Sequence, residues 1–172
     1  MKTYEPFIQI QPEDLDQNAF QMIGQDWMLV TAEVDGKTNT MTASWGGFGI
    51  LWNKPVAYVF IRPQRYTKTF VDQSETFSLS FFDASFRKTL NYLGSVSGKN
   101  EDKITKSGLT LKHLEATPYF EEARLVMRCK KLFAQDLNPV SFIDTTLIDK
   151  IYPTRDFHTM YISEIAEVLS KK

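Results

Sequence analysis

Apolar and polar residues alternate along much of the chain, which is the pattern of β-strands with one buried face. It is clearest at 77–81, where phenylalanine and leucine alternate with serine and predict a half-buried strand. Further strands are predicted at 27–34, 39–44, 55–61, 109–115, 124–134 and 158–169. After the strand at 27–34, Asp35-Gly36 predicts a hairpin turn, because glycine accepts the positive φ that such turns demand.

A helical period replaces this alternation in four segments. Residues 12–24 open with a proline followed by two acids, which favours a helix start. Over 139–151 an apolar residue recurs at positions 143, 147 and 151, and this spacing predicts one continuous helix. Shorter helices are predicted at 67–73 and at 85–93, and Gly94 is expected to end the second of them.

The predicted strands outnumber the helices, and most are joined by short connections. This favours an α+β fold, mainly β, in which an antiparallel Greek-key barrel is covered by a few helices. A doubly wound parallel sheet is disfavoured, because Gly47-Phe48-Gly49 lacks the third glycine of a dinucleotide-binding turn. Since no repeat or flexible linker divides the sequence, residues 1–172 are predicted to form a single domain.

Composition and charge restrict the partners. Hydrophobic residues make up 42% of the chain and charged residues 24%, which is ordinary globular composition. The net charge of -1 leaves no excess of basic residues for a nucleic-acid backbone, so no nucleic-acid partner is expected. No apolar run reaches the length of a membrane span, and residues 1–6 lack the apolar core of a signal peptide. We therefore expect a cytoplasmic protein without membrane contact.

Two segments concentrate side chains that could bind a ligand. Residues 39–46 offer hydroxyls and unhindered backbone N–H groups at a strand end, and residues 61–67 offer two arginines where a turn enters a helix. A flat, phosphorylated ligand would fit between them. The alternative from spacing alone is a polar strand end beside a surface loop with solvated arginines.

A third candidate is the segment Ser97-Gly98-Lys99-Asn100-Glu101-Asp102-Lys103, whose glycine and two lysines could complete an anion site. It is not a P-loop, because Gly94 and Gly98 are one residue too close and Asn100 stands where a magnesium-binding serine or threonine is required. The alternative interpretation is a solvated charged loop.

Other chemistries find little support. His113 and His158 both lie in strand patterns and are far apart, so each is interpreted as a structural histidine. Cys129 is the only cysteine, which excludes an intramolecular disulfide, and its apolar strand face predicts a core position. No metal site and no hydrolytic mechanism is predicted, because the sequence shows no paired carboxylates or Cys/His pair at a recognisable spacing.

Taken in order, these segments resemble the flavin reductase-like, FMN-binding split-barrel family, and within it flavoredoxin-like proteins. The resemblance spans residues 12–168. The motifs that carry it are residues 39–45 followed by the glycines at 46, 47 and 49, residues 52–55, residues 62–67, Ser97-Gly98 with Asp102-Lys103, and Asp156-x-His158-x-x-Tyr161-Ile162.

The resemblance implies a six-stranded antiparallel Greek-key split barrel with FMN in a groove at a homodimer interface. By this resemblance, the isoalloxazine ring and ribityl chain would be lined by Asn39, Met41, Thr42, Ala43, Ser44 and Trp45. The phosphate end would hold Arg62, Arg65, Tyr66, Thr67 and Lys103, with Ser97, Gly98 and Lys99 nearby.

The resemblance also implies a function. The chain would be an FMN-binding oxidoreductase that transfers electrons from NAD(P)H to flavin or to another acceptor. Since flavin itself carries the hydride and electron chemistry, no catalytic side chain is predicted. The alternative is a non-enzymatic FMN-binding electron carrier that docks with a redox partner protein, and nothing in the sequence separates the two. A barrel without flavin is disfavoured by Thr42, Ser44, Arg65 and Thr67.

Overall fold

The computed structural model describes residues 3–172, with side chains from Glu5 onward. Residues 1–6 were predicted not to be a signal peptide, and the first two of them lie outside the described residues. The strands are β1 (Thr3–Tyr4), β2 (Phe7–Ile10), β3 (Met28–Val34), β4 (Lys37–Ala43), β5 (Gly46–Leu51), β6 (Lys54–Ile61), β7 (Thr76–Phe81), β8 (Leu111–Leu114), β9 (Thr117–Phe120), β10 (Leu125–Asp136) and β11 (Thr159–Lys171). The α-helices are α1 (Tyr66–Gln73), α2 (Arg87–Ser95), α3 (Lys103–Ser107) and α4 (Thr146–Ile151). Short 3₁₀ turns occupy Pro12–Asp14, Ala84–Phe86 and Pro139–Ser141, and a π-helical turn occupies Gln21–Asp26.

Nine strands form one antiparallel sheet, in which seven follow the order β1-β2-β11-β10-β7-β3-β4. The other two are β6, which also pairs with β11, and β5, which pairs with β6. Besides β10, strand β11 pairs with two strands at different points along its length. Its first half pairs with β6 and its last residues pair with β2. The α+β, mainly β, antiparallel class predicted from the sequence is confirmed. The number of strands is larger than the six expected, since short edge strands extend the sheet.

Two tight hairpins shape the sheet. Asp35 and Gly36 have φ of 51° and 72°, the two positive angles of a type I′ turn, which confirms the turn predicted between β3 and β4. Trp52 and Asn53 repeat this geometry between β5 and β6, with φ of 53° and 56°. The second turn is harder to find in the sequence, because neither of its residues is glycine.

The central strands are buried on both faces. One apolar cluster inside the barrel includes Met28 and Phe77, and a second cluster outside it includes Leu29 and Phe120. Helix α2 and the β8-β9 hairpin supply the outer layer. The strand predicted at 77–81 is confirmed as β7, but its predicted half-burial is wrong. Its serines are buried under this second layer, and Ser78 donates a hydrogen bond to the Pro118 carbonyl at 2.6 Å.

Three helix predictions differ from the structure. Residues 12–24 are broken, because the Asn18 carboxamide oxygen accepts from the N–H groups of Phe20 and Gln21 and starts a separate helical turn. Residues 139–151 contain only a 3₁₀ turn and the short α4, and Ile143 is fully exposed. Gly94 lies inside α2 rather than ending it. No helix among residues 3–172 is long and apolar enough to cross a bilayer.

Candidate functional site

One end of the barrel carries a cleft made of two adjoining cavities, of about 260 and 190 Å³, which share Met41 and Arg65. The first cavity is lined by Met41, Thr42, Ala43, Ser44, Trp45, Phe60, Arg62, Arg65 and His158. The second is lined by Asn39, Met41, Gln64, Arg65, Tyr66, Thr67, Gly94, Ser95, Val96, Ser97, Gly98 and Lys103. Strand β4, the turn from β6 into α1, and the segment from α2 to α3 thus meet here. Every residue proposed for the site except Lys99 lines this cleft.

Arg65 stands at the junction of the two cavities, immediately before the first residue of α1. Its guanidinium has no ion pair and no hydrogen bond to another residue in the described part of the chain. Burial lowers the pKa of Arg65, although the group remains a cation. The N–H groups of Tyr66 and Thr67, the first two of α1, also lack intrahelical acceptors, so this corner favours a negative charge.

Lys103 supplies a second cation on the same side, and its side chain is buried. Its Nζ donates to the carbonyls of Leu93 and Val96 at 2.7 and 2.8 Å, which leaves one of its three donor positions free. Burial, assisted by the nearby Arg65 cation, lowers the pKa of Lys103 to about 8. No carboxylate lies within salt-bridge distance of either cation in residues 3–172. A half-buried arginine and a buried lysine without an acid between them favour an anion in this part of the cleft.

A polar contact closes the cleft beside these cations. The Asn39 side-chain amide donates to the Thr67 hydroxyl at 2.9 Å, and this joins β4 to α1. Gly98 packs against the same amide so closely that a Cβ there would lie 2.2 Å from Asn39 Oδ1. A side chain at position 98 would therefore force the Asn39 amide to shift, and glycine lets the segment after α2 approach β4 without that displacement.

Helix α2 is fixed to the cleft in a similar way. The Thr42 hydroxyl donates to the Leu90 carbonyl at 2.6 Å, and a Cβ on Gly94 would lie 3.1 Å from the Thr42 Cβ. Gly94 therefore serves close packing of α2 on β4. Lys99 lies outside the cleft, where it is exposed and its Nζ is 5.3 Å from the centre of the Tyr66 ring.

Arg62 lies at the opposite end of the cleft from Lys103. Its guanidinium forms an ion pair with Asp156, donates to the Ile151 carbonyl at 3.1 Å, and lies 5.3 Å from the centre of the Tyr152 ring. The ion pair with Arg62 holds the pKa of the Asp156 carboxyl well below its usual range. In contrast to Arg65, Arg62 is already paired with a carboxylate of the protein, although both arginines line the first cavity.

His158 is the main residue that the sequence reasoning left out of the site. It is buried against the first cavity, its Nδ1 is 2.8 Å from the Tyr152 hydroxyl, and its ring centre is 4.9 Å from that of Trp45. Burial, together with the Arg62 cation, lowers the pKa of His158 to about 4, so the imidazole is neutral at pH 7. The signal available in the sequence was its place in the Asp156-x-His158 motif.

The other missed residues are Phe60, Gln64 and the segment 94–96. Phe60 alternates with core residues on β6, so its pattern is that of an ordinary strand. Gly94 was predicted only as the end of a helix, and its packing against Thr42 of β4 brings this segment into the cleft.

The antiparallel sheet and its covering helices thus carry a cleft whose walls include the two cations Arg65 and Lys103. The profile of the flavin reductase like domain matches residues 21–170, so the chain belongs to this flavin-binding family. No curated protein matches the chain significantly.

Solved structures share the fold at low sequence identity. A flavoredoxin from Methanosarcina acetivorans is 24% identical with a TM-score of 0.66, over 86% of this chain and 69% of its own. An FMN-binding domain of a flavin reductases-like enzyme from Shewanella baltica is 17% identical with a TM-score of 0.69, over 96% and 77%. A flavin reductase with a split barrel domain from Shewanella frigidimarina is 20% identical with a TM-score of 0.66, over 87% and 71%. These likenesses support the split-barrel fold predicted for the chain.

Proposed function

We propose that the cleft binds FMN with its phosphate between Arg65 and Lys103. The observation that carries this proposal is the pair of cations, the half-buried Arg65 and the buried Lys103, without an acidic partner among the described residues. A phosphate dianion would balance both charges. It would also accept hydrogen bonds from the remaining N–H of the Lys103 ammonium and from the free backbone N–H groups of the first turn of α1. The Thr67 hydroxyl and the backbone at Gly98 lie on the same wall of the cleft.

The first cavity would then hold the isoalloxazine ring. Its walls supply the apolar side chain of Met41, the hydroxyls of Thr42 and Ser44, and the aromatic face of Trp45. Bound FMN would supply hydride and electron transfer. The protein's own residues bind and orient the ligand, and His158 contributes a neutral imidazole that can exchange a hydrogen bond without changing the charge of the cavity.

We infer an FMN-dependent oxidoreductase that accepts electrons from NAD(P)H. A second function, that of an FMN-binding electron carrier with a redox partner protein, is favoured by the structural likeness to a flavoredoxin and by the exposure of Trp45 at the cleft. Anaerobic addition of NADH or NADPH to the FMN-loaded protein separates the two. Bleaching of the flavin at a rate that saturates with nucleotide supports the reductase. Reduction by dithionite alone supports the carrier.

FMN should bind at least about tenfold more tightly than riboflavin. Riboflavin lacks the phosphate, and a charge-assisted hydrogen bond is worth roughly 1.5–3 kcal/mol. Flavin fluorescence titrations of the same protein sample measure both dissociation constants. Equal affinities for the two flavins would refute the phosphate assignment.

We also infer a homodimer. Ile50, Trp52 and Phe133 are 68%, 56% and 40% exposed, and the Trp52 and Phe133 rings lie 6.5 Å apart. Exposed aromatic surface of this kind favours burial against another protein surface. Trp45 is also exposed beside the cleft, so a second copy could help to cover the ligand.

Sedimentation should therefore show a dimer, and Trp52→Asp should shift the protein toward monomer. Lys88→Asp is the control, because Lys88 is an exposed polar residue of α2 and contributes no apolar surface. A parent protein that sediments as a monomer and still retains flavin would contradict the dimer.

A further inference from the structure

The polar contacts of the Arg62 side chain are all made with one long connecting segment of the chain. This segment, residues 137–158, which we call the crossover segment, connects the end of β10 to the start of β11. The Leu137 N–H donates to the His158 carbonyl at 2.9 Å and closes its base. Within it, the ring centres of Phe142, Tyr152 and Phe157 lie between 4.8 and 6.0 Å apart, so the crossover segment has a small aromatic core of its own.

Arg62 attaches the crossover segment to the barrel. It follows directly after β6, and one guanidinium nitrogen pairs with Asp156 while another donates to the Ile151 carbonyl. Gln64 adds a donor to the same Asp156 oxygen at 2.7 Å. The planar guanidinium therefore bridges two acceptors from separate parts of the crossover segment, which a lysine ammonium could not do with the same geometry.

The attachment reaches the ligand cavity through two neighbouring side chains. The Arg62 guanidinium lies over the ring of Tyr152, and the hydroxyl of that ring bonds Nδ1 of His158. The other side of His158 meets Trp45 in the cavity wall. A displacement of the crossover segment would therefore move His158 relative to the cavity.

We propose that Arg62 is a positioning residue that fastens the crossover segment to the end of β6 and so holds His158 in the wall of the ligand cavity, and that it does not bind the phosphate. The proposal rests on the proposed function only in treating this cavity as the flavin site. The contacts themselves are made within the chain. The charged and titratable groups around His158 are Arg62, Arg65, Tyr152 and Asp156.

NMR of the two histidines tests the positioning role without any ligand. His113→Gln leaves His158 as the only histidine, so its imidazole signal needs no further assignment. In this background His158 should not titrate between about pH 5 and 8. With Arg62→Met it should titrate inside that range, because the cation is lost and the imidazole becomes more hydrated. Arg155→Met is the control on the same segment, since Arg155 is exposed and paired with Asp149, and it should leave the titration unchanged.

Arg62→Lys distinguishes positioning from a simple effect of charge. Lysine keeps the cation and loses the two-pronged bridge, so a positioning role predicts that the pKa of His158 rises here as well, by less than with Arg62→Met. An unchanged pKa in Arg62→Lys would overturn the proposal. This milder variant decides the question even if Arg62→Met fails to fold.

The preference for FMN over riboflavin provides the second test. If Arg62 only positions the crossover segment, Arg62→Lys should change the affinities for FMN and riboflavin by the same factor, so the ratio of the two stays at the parent value. A ratio that falls toward one would place Arg62 on the phosphate and overturn the proposal. Failure of the proposed function itself is distinguishable, because the parent protein would then show no such preference while the NMR result still stands.

Discussion

Arg65→Ala should weaken FMN binding by roughly one to two factors of ten. The guanidinium is half-buried at the junction of the two cavities and has no partner in the described chain, so the phosphate would be its main interaction. Loss of a charge-assisted hydrogen bond of about 1.5–3 kcal/mol corresponds to that change in the dissociation constant. Titration of flavin fluorescence measures it, and Arg155→Ala, at an exposed position away from the cleft, should bind FMN like the parent.

Arg65→Lys should recover only part of the loss, because lysine keeps the charge and lacks the planar fork. At saturating FMN, both variants should accept electrons from NAD(P)H at close to the parent rate, provided that the protein is a reductase. The reason is that binding energy at the phosphate is the same before and after reduction, so it sets affinity without changing the barrier.

Stopped-flow bleaching at several FMN concentrations separates the two effects. Normal FMN binding by Arg65→Ala would refute the phosphate contact. Normal binding combined with slow reduction would instead move Arg65 to the nicotinamide or to the reacting edge of the ring.

The sequence was sufficient wherever short-range patterns decide the structure. The β3-β4 hairpin follows from Asp35-Gly36, since two positive φ angles are a local demand. The strands predicted at 39–44 and 55–61 overlap β4 and β6 of the cleft, and the site residues cluster at strand ends and at a helix start. These positions are close in sequence to the turns that create the cleft, so their grouping could be predicted.

Arg62 and Arg65 show where such reasoning fails. They are the same residue type, three positions apart, and the motif offers no means to rank them. The difference between them is made by Asp156, far away in the sequence, which pairs with Arg62 and leaves Arg65 without an acid. A partner brought in by the tertiary fold is invisible to spacing along the chain.

Burial by a second layer is a similar case. The serines of β7 alternate with apolar residues, which is the signature of one solvent-facing side. The β8-β9 hairpin covers that side and supplies the Pro118 carbonyl as an acceptor for Ser78. Polar residues can face a buried layer when that layer offers hydrogen bonds. The alternation of residues therefore predicted the strand correctly, whereas the exposure predicted for its serines was wrong.

Lys103 allows a prediction from its titration. In the flavin-free protein its pKa is lowered to about 8, first by burial and then by the Arg65 cation. A bound phosphate would raise this pKa, because the dianion favours the ammonium form. FMN binding above pH 8 must then be accompanied by proton uptake, which opposes binding as protons become scarce.

The same shift has the opposite consequence for the stability of the flavin-free protein. The pKa of an unfolded lysine is about 10.4, so between about pH 8 and 10.4 the unfolded state binds more protons than the folded state. The contribution of Lys103 to the free energy of unfolding therefore rises with pH between about pH 8 and 10.4, while the affinity for FMN falls. Opposite slopes for the two quantities would identify Lys103 as their common cause.

The dissociation constant of the parent protein for FMN should rise by up to roughly tenfold per pH unit above about pH 8. Lys103→Met should remove this rise, and it should also weaken FMN binding at pH 7 by about tenfold or more. Titrations with FMN and riboflavin at each pH measure it, and riboflavin should show no such rise, because it brings no phosphate to the lysine. Lys106→Met is the matched control, since this exposed lysine of α3 is paired with Glu101 outside the cleft and should keep the pH profile of the parent. A rise that persists in Lys103→Met would assign the titration to another group and remove Lys103 from the phosphate end.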